Sequence, residues 1–308
     1  MSTSGTTTFN RTRNELIKGA MRVLGVLASG ETPSASEIEE GAEALNLMVK
    51  GWIVDGAHLW TQTQATLFCA AGQRYYDLPG ANATKTYTET AVATAGIAID
   101  TSLIVDSIVG ISNGDFIGIL LDDNTIHWTT VNGVPAGSTV VIAAGLPSGS
   151  TIGKHVYAYT TKIERPLRIY NLRRQDLSGN EIPFSDVLSR NSYLSLPNKH
   201  ARATPIQGWY EPQLTTGQLY LWPVPLDATH RVTFTYERLI EDFVNIGDNA
   251  DFPQEWLNAL KWNLAVEIAI EYGIQPSAFV LAKALELKQS VLAWDADKGS
   301  LFISPSWQ

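Results

Sequence analysis

Helix-start signals occur near both ends of this chain, on either side of a long stretch with a different pattern. Thr12 with Glu15 and Ser34 with Glu37 each form a capping box, in which two side chains bond two free backbone N–H groups reciprocally. Apolar residues follow each pair at helical spacing. The pattern predicts a first helix that runs to about Ala28 and a second helix after Ser34, packed as an antiparallel hairpin.

The C-terminal part carries two more helical patterns. Asp251 with Gln254 three positions later predicts a capped helix start, and this helix should end near Gly273. A last helix is predicted from about residue 276 to residue 294. Its predicted apolar side consists of Leu281, Ala284, Leu285, Val291 and Leu292.

The helix that starts after Asp251 has apolar side chains pointing in several directions, so it needs neighbours on more than one side. Both apolar faces could be buried within this one chain. Alternatively, one face packs inside the subunit and the other against a second copy. On that second interpretation, the subunit-interface residues are Trp256, Trp262 and Ile270.

Between the helical ends, short runs rich in Thr, Val, Ile and aromatic residues alternate with turn residues, which predicts strands. Residues 83–160 contain only two basic residues, Lys85 and Lys154, and lack helical periodicity. We therefore expect residues 83–160 to form an inserted β domain within a core made of residues 1–82 and 161–308. The whole pattern predicts an α+β chain: a helical bundle formed by N- and C-terminal helices, with an antiparallel β-sheet region and the inserted β domain.

A hairpin signal lies inside the inserted segment, where Asp122, Asp123 and Asn124 join two alternating apolar runs. Together with Asp115, the two adjacent aspartates suggest oxygen ligands for a calcium ion. Their spacing does not match an EF-hand loop, so a solvated hairpin tip is the favoured interpretation.

Composition argues against several classes of function. Twenty-two basic residues against 31 acidic residues give a net charge of -9, which disfavours the broad cationic surface of a tight nucleic-acid binder. Cys69 is the single cysteine, and the five histidines lack the spacing of paired metal ligands. Nucleophile-elbow, P-loop and dinucleotide-binding motifs are missing, and no apolar run is long enough to span a membrane. We therefore expect no catalysis, no metal and no cofactor.

Four segments, taken in order, carry a resemblance to a known family. They are the N-terminal helical hairpin through Gly51 and Trp52, residues 72–79 (GQRYYDLP), residues 217–223 (GQLYLWP), and residues 252–260 (FPQEWLNAL) running into 263–265 and 271–273. Spanning nearly the whole chain, they resemble the head-to-tail adaptor proteins of short-tailed bacteriophages. Residues 83–160 resemble a β module of phage tail proteins and depart from the smallest adaptors.

The resemblance implies a structural virion protein at the head–tail junction, synthesised in the host cytoplasm. Such adaptors form a homo-oligomeric ring, usually of twelve copies, beneath the portal protein. The ring extends the DNA channel, retains packaged DNA, and provides a platform for tail nozzle or tail fibre proteins. Double-stranded DNA would pass through without tight binding, as the acidic balance of the chain suggests.

The same resemblance implies two further contact sites. The C-terminal tail would bind the portal through Leu301, Phe302, Ile303, Pro305 and Trp307. The β regions would face the tail, with Asp122, Asp123 and Asn124 as tail-contact residues. Two other functions stay open on sequence alone: a cell-wall hydrolase using carboxylates of the β region, and a trimeric module that attaches tail fibres or spikes.

Overall fold

The computed structural model describes residues 4–53, 59–80, 82–185 and 187–295. The chain folds as two compact units: a helical unit of Met1–Thr61 with Ile240–Gln308, and a β unit of Gln62–Leu239. Helices and mainly antiparallel sheets are both present, which confirms the predicted α+β class. The contacts group the predicted inserted segment with its flanking strands in the β unit, and its independence as a domain stays a prediction.

The helices are α1 Arg13–Leu24, α2 Ala35–Trp52, α3 Arg190–Leu194, α4 Leu257–Glu271 and α5 Ala278–Trp294. Short 3-10 turns cover Leu59–Thr61 and Gln254–Trp256. All the helices except α3 belong to the helical unit.

Both predicted capping boxes are confirmed. The Glu15 carboxylate accepts a hydrogen bond from the Thr12 N–H, at 3.1 Å, and the Thr12 hydroxyl accepts one from the Glu15 N–H. Ser34 and Glu37 repeat this arrangement at the start of α2.

The predicted end of α1 near Ala28 is wrong by about one turn. Gly25 adopts the left-handed conformation, with φ of 77°, and its N–H bonds back to the last turn. A glycine takes this conformation without the steric cost of a Cβ, so it ends the helix. Leu27 lies beyond the helix but still packs against the core, which explains why the apolar pattern continued.

The predicted cap of α4 is also wrong. The Asp251 carboxylate accepts a hydrogen bond from the Glu241 N–H at 3.0 Å, and α4 is entered through the 3-10 turn with no side-chain cap bond. In contrast, α5 has a side-chain cap, because the Ser277 hydroxyl accepts a hydrogen bond from the Val280 N–H.

The core of the helical unit is built around α4, which packs against α1, α2 and α5. Trp256, just before α4, is fully buried. Its ring lies 5.8 Å from that of Trp52 and 5.7 Å from that of Phe252. This aromatic group joins the second helix to the C-terminal part of the chain.

The β unit has sixteen short strands among its described residues. They are β1 Gln62–Phe68, β2 Tyr75–Leu78, β3 Ala83–Thr84, β4 Thr88–Thr94, β5 Ser102–Val105, β6 Phe116–Leu120, β7 Ile126–Thr130, β8 Thr139–Val141, β9 His155–Tyr159, β10 Arg168–Gln175, β11 Glu181–Pro183, β12 Arg202–Ala203, β13 Gln207–Pro212, β14 Gly217–Trp222, β15 Val224–Pro225 and β16 Arg231–Glu237.

Three antiparallel sheets organise these strands. Their orders are β11-β10-β16-β1-β3, β13-β14-β2 and β7-β6-β9-β4-β5-β8, and β12 pairs with β15 in parallel. Residues from the five- and three-stranded sheets share one core, whereas the six-stranded sheet encloses its own. The predicted hairpin is confirmed, since β6 pairs with β7 with Ile117 opposite Thr129.

Candidate assembly surface

Helix α5 presents two apolar faces. Val280, Ala284 and Val291 are buried within the helical unit. On the other side, the Leu281 side chain is 46% exposed and that of Leu285 is 57% exposed. Ala278, Ala282 and Ala293 are also exposed and continue this row at helical spacing. We call the outward row Ala278, Leu281, Ala282, Leu285 and Ala293 the α5 stripe.

The α5 stripe corrects the predicted single apolar side of this helix. The sequence pattern placed Leu281 and Leu285 together with Ala284 and Val291, whereas the structure separates the two leucines from the buried pair. Neighbouring residues of a helix differ by about 100° in direction. Ala284 and Leu285 are neighbours in sequence and therefore cannot share one narrow face of the helix. The apolar residues of α5 form two faces, which the sequence pattern did not separate.

The three predicted subunit-interface residues lie in different environments. Ile270 is 73% exposed, and Trp262 is partly buried, with its ring 6.0 Å from that of Phe279. Trp256 has no exposed surface, so its side chain can only support the fold from inside. The predicted contact with a second copy therefore depends on Trp262 and Ile270.

Further apolar residues are exposed near the turn between α4 and α5. Phe279 is 68% exposed, close to Trp262, and Ile274 in the turn is 36% exposed. With Ile270 and the α5 stripe, they give the helical unit several large apolar side chains in water. Exposed apolar side chains concentrated on one unit are a kind of surface that proteins use to contact other proteins.

The predicted tail-contact residues lie at the turn between β6 and β7. The Asp122 carboxylate accepts hydrogen bonds from the N–H and the hydroxyl of Thr151, both at 2.9 Å, and these bonds lower its pKa. Hydrogen bonds from the hydroxyl and N–H of Thr125 likewise lower the pKa of Asp123. Both aspartates are exposed, and they stay charged at neutral pH.

Asn124 fixes this turn against another part of the β unit. It has a positive φ of 60°, and its backbone carbonyl accepts a hydrogen bond from the Ala228 N–H at 2.8 Å. The Lys154 ammonium donates to its side-chain oxygen at 3.2 Å. The hairpin tip is thus held in place, and its contact with a tail protein stays a prediction.

The suggested calcium site does not form as a cluster. Asp115 is buried, and its carboxylate accepts a hydrogen bond from the Ser112 N–H at 2.7 Å. Among the described residues, no group of three or more histidine, cysteine, aspartate or glutamate side chains is arranged to hold a metal ion.

The single cysteine is poorly suited to act as a nucleophile. Cys69 is buried, and the loss of solvent, together with the negative charge of Asp227, raises the pKa of its thiol to about 12. Almost no thiolate is present at neutral pH, and the thiolate is the reactive form.

A buried charged group in the β unit was not anticipated from the sequence. The guanidinium carbon of Arg231, on β16, lies 5.1 Å from the centre of the Tyr157 ring and 5.6 Å from the centre of the Tyr87 ring. It donates a 2.7 Å hydrogen bond to the Glu89 carboxylate on β4, which also lies 2.6 Å from the Nδ1 atom of His155. This group, which we call the Glu89 cluster, ties the five-stranded sheet to the six-stranded sheet.

The predicted portal-binding residues lie outside the described residues. These are Leu301, Phe302, Ile303, Pro305 and Trp307.

None of the described helices is long and apolar enough to cross a membrane.

No family model matches the chain, and no curated protein matches it. One similar solved structure is VP17, a capsid protein of bacteriophage P23-77, with 11% identity over 59% of this chain and 76% of that chain. The TM-score is 0.17, a value too low to establish a shared fold.

Proposed function

We propose that this chain is a structural virion protein that forms a ring between the portal and the tail of a short-tailed phage. The ring would extend the DNA channel, retain packaged DNA, and offer a platform to nozzle or fibre proteins. The proposal combines the ordered resemblance of four sequence segments with one structural observation, the α5 stripe. It assigns no catalytic step to the chain.

The α5 stripe is the observation that carries this proposal, because a monomer would leave its apolar side chains exposed to water. Leu281 and Leu285 are about half exposed, although their helix already buries its opposite side in the helical unit. Burying a leucine side chain is worth about 1.5–3 kcal/mol. Contacts of this size are weak singly, but a closed ring repeats each of them in every copy.

Replacing Leu281 and Leu285 with glutamine should prevent ring formation while leaving the helical unit folded. Electron microscopy of the variant mixed with purified portal rings should show bare portals, whereas the unmodified protein should add a twelve-fold layer. Because both side chains are already half exposed, circular dichroism should show unchanged helix content.

A matched control uses two leucines of the β unit that are more exposed than the two leucines of the stripe. Leu214 is 93% exposed and Leu226 is 60% exposed, so their double replacement by glutamine removes the same chemistry elsewhere. The control should still coat portal rings. If the α5 variant coats portal rings as fully as the unmodified protein, the α5 stripe is not part of the assembly surface. Lysis of peptidoglycan by the unmodified protein in a zymogram would contradict a purely structural role.

Deleting residues 299–308 should abolish portal binding without altering the fold of the remaining chain. The expectation follows from the apolar side chains of this segment and from the tail-to-portal contact implied by the resemblance. Co-sedimentation with portal rings measures the loss, and circular dichroism checks the fold. Full-strength binding by the shortened chain would show that the portal contact lies elsewhere.

A further inference from the structure

A groove in the helical unit is lined by an unusual concentration of positive charge. Its cations are Arg11 just before α1, Lys18 and Arg22 on α1, and Lys261 on α4, and its volume is about 620 Å³. Leu16, Leu257 and Phe9 contribute apolar surface to the same groove. The whole chain has a net charge of -9, so this basic groove reverses the overall sign locally.

Most of these cations form no ion pair with a described residue. Among the described residues, Glu15 is the one acidic residue that lines the groove, and it lies 3.4 Å from Arg11. Within the part of the chain that the structure describes, Lys18, Arg22 and Lys261 form no ion pair. A Cβ added at Gly19 would lie 3.1 Å from the Lys261 side chain, so the glycine lets this lysine lie close against α1.

The helical unit also has an acidic edge, formed by Glu40 and Glu43 of α2 with Glu267 and Glu271 of α4. All four are exposed, and none forms an ion pair with a described residue. Partial loss of solvent and the charges of the other three carboxylates raise the pKa of Glu271. Lys288 lines a neighbouring groove with Glu267, and its ammonium lies over the Trp52 ring at 5.1 Å.

The acidic edge destabilises the free subunit. Like charges four residues apart on a helix, as at Glu267 and Glu271, repel each other and destabilise the helix. The raised pKa of Glu271 has the same sign, since a carboxyl that holds its proton more tightly in the folded state weakens folding above that pKa. Cations from a neighbouring molecule would remove this repulsion.

Groove and edge occupy different places on the same unit. Lys261 and Glu271 are ten residues apart on α4, which is about 15 Å along the helix axis. A surface and its complement at separate positions of one molecule permit heterologous contacts, and these close into rings when the rotation allows it.

We propose that the basic groove of one copy binds the acidic edge of the next copy, so that the helical units join head to tail. This inference rests on the proposed ring and names the surfaces that build it. A second copy fits the groove better than a nucleic acid does, because the groove has an apolar lining and because Lys18, Arg22 and Lys261, which form no ion pair with a described residue, are opposite in charge to the carboxylates of the edge. The α5 stripe would add apolar contact area to this polar contact.

Charge reversal tests the pairing directly. The groove variant is Arg22→Glu with Lys261→Glu, and the edge variant is Glu40→Lys with Glu271→Lys. Each variant alone should lose at least about tenfold in self-association, because like charges then face each other across the interface. Native mass spectrometry in solution and electron microscopy on portal rings both measure this loss.

One combined variant and one mixture separate a specific contact from general damage to the fold. A chain with all four substitutions restores opposite charges at every interface, so it should form rings again. In an equimolar mixture of the groove variant and the edge variant, both contacts between unlike chains carry opposite charges, so the mixture should form rings in which the two variants alternate. High salt should weaken the association of the unmodified protein.

The outcomes distinguish this inference from the proposed function. If the unmodified protein forms rings and both double variants form them equally well, the groove–edge contact is wrong and the ring stands. If the unmodified protein never forms rings, even on portals, both the proposed function and this inference are wrong. If the groove variant keeps its rings but loses affinity for added double-stranded DNA, the groove is a nucleic-acid site and the inference is overturned.

Discussion

Replacing Trp256 with alanine should lower the free energy of unfolding of the helical unit by about 3–5 kcal/mol. Trp256 has no exposed surface, and its ring contacts those of Trp52 and Phe252. Removing it leaves a cavity between α2 and the start of α4, which the surrounding helices can fill only in part. Urea unfolding followed by circular dichroism at 222 nm reports on this unit, because it holds the long helices.

Trp262 provides the matched control, since it is the same residue type at the surface of the same unit. It is partly exposed and contacts Phe279, so its replacement by alanine should cost about 1 kcal/mol. In binding to portal rings, Trp262→Ala should weaken assembly although it lowers the stability of the helical unit only slightly. An equal loss of stability in the two variants would contradict the assignment of Trp256 to the core and Trp262 to the surface.

Replacing Glu89 with alanine should destabilise the β unit by about 3 kcal/mol. The Arg231 side chain is only 5% exposed and would stay buried between two tyrosine rings without its carboxylate partner. An unpaired buried charge is costly, because the protein interior does not replace the water that it lost. Thermal unfolding followed by near-ultraviolet circular dichroism would report on the adjacent aromatic residues.

The control for Glu89 removes both charges. In the double variant Glu89→Ala with Arg231→Met, an apolar side chain replaces the guanidinium, so the loss of stability should be smaller than for Glu89→Ala alone. A double variant that is less stable than the single one would show that the Arg231 side chain stabilises the β unit mainly through its tyrosine contacts.

The parts of the fold that depend on neighbouring residues could be predicted from the sequence. Both capping boxes and the β6–β7 hairpin are encoded within a few residues, and the structure confirms them. Gly25 is also a local signal, and it marks the end of α1. The apolar pattern nevertheless continues to Leu27, which lies outside the helix and packs against the core. Periodicity alone does not separate these two cases.

Contacts between distant residues could not be predicted in this way. Arg231 pairs with Glu89, 142 positions away, and no local pattern indicates which strands bring them together. Asp251 resembled a helix cap, but its carboxylate is used by the backbone of Glu241. The basic groove could not be predicted for the same reason, because the average charge of the chain is negative and the cations meet only when α1 lies beside α4.

The helical unit is built from two segments of the sequence, one before the β unit and one after it. This order along the chain affects when the protein can associate during synthesis. Helices α1 and α2 leave the ribosome well before α4, which begins 205 residues after the end of α2. At typical translation rates this interval lasts roughly 10 to 40 s. During that time the apolar faces of α1 and α2 lack their main packing partner, and the groove does not exist. A nascent chain therefore cannot capture a neighbour through it, and the binding surface appears only after Lys261 has been added.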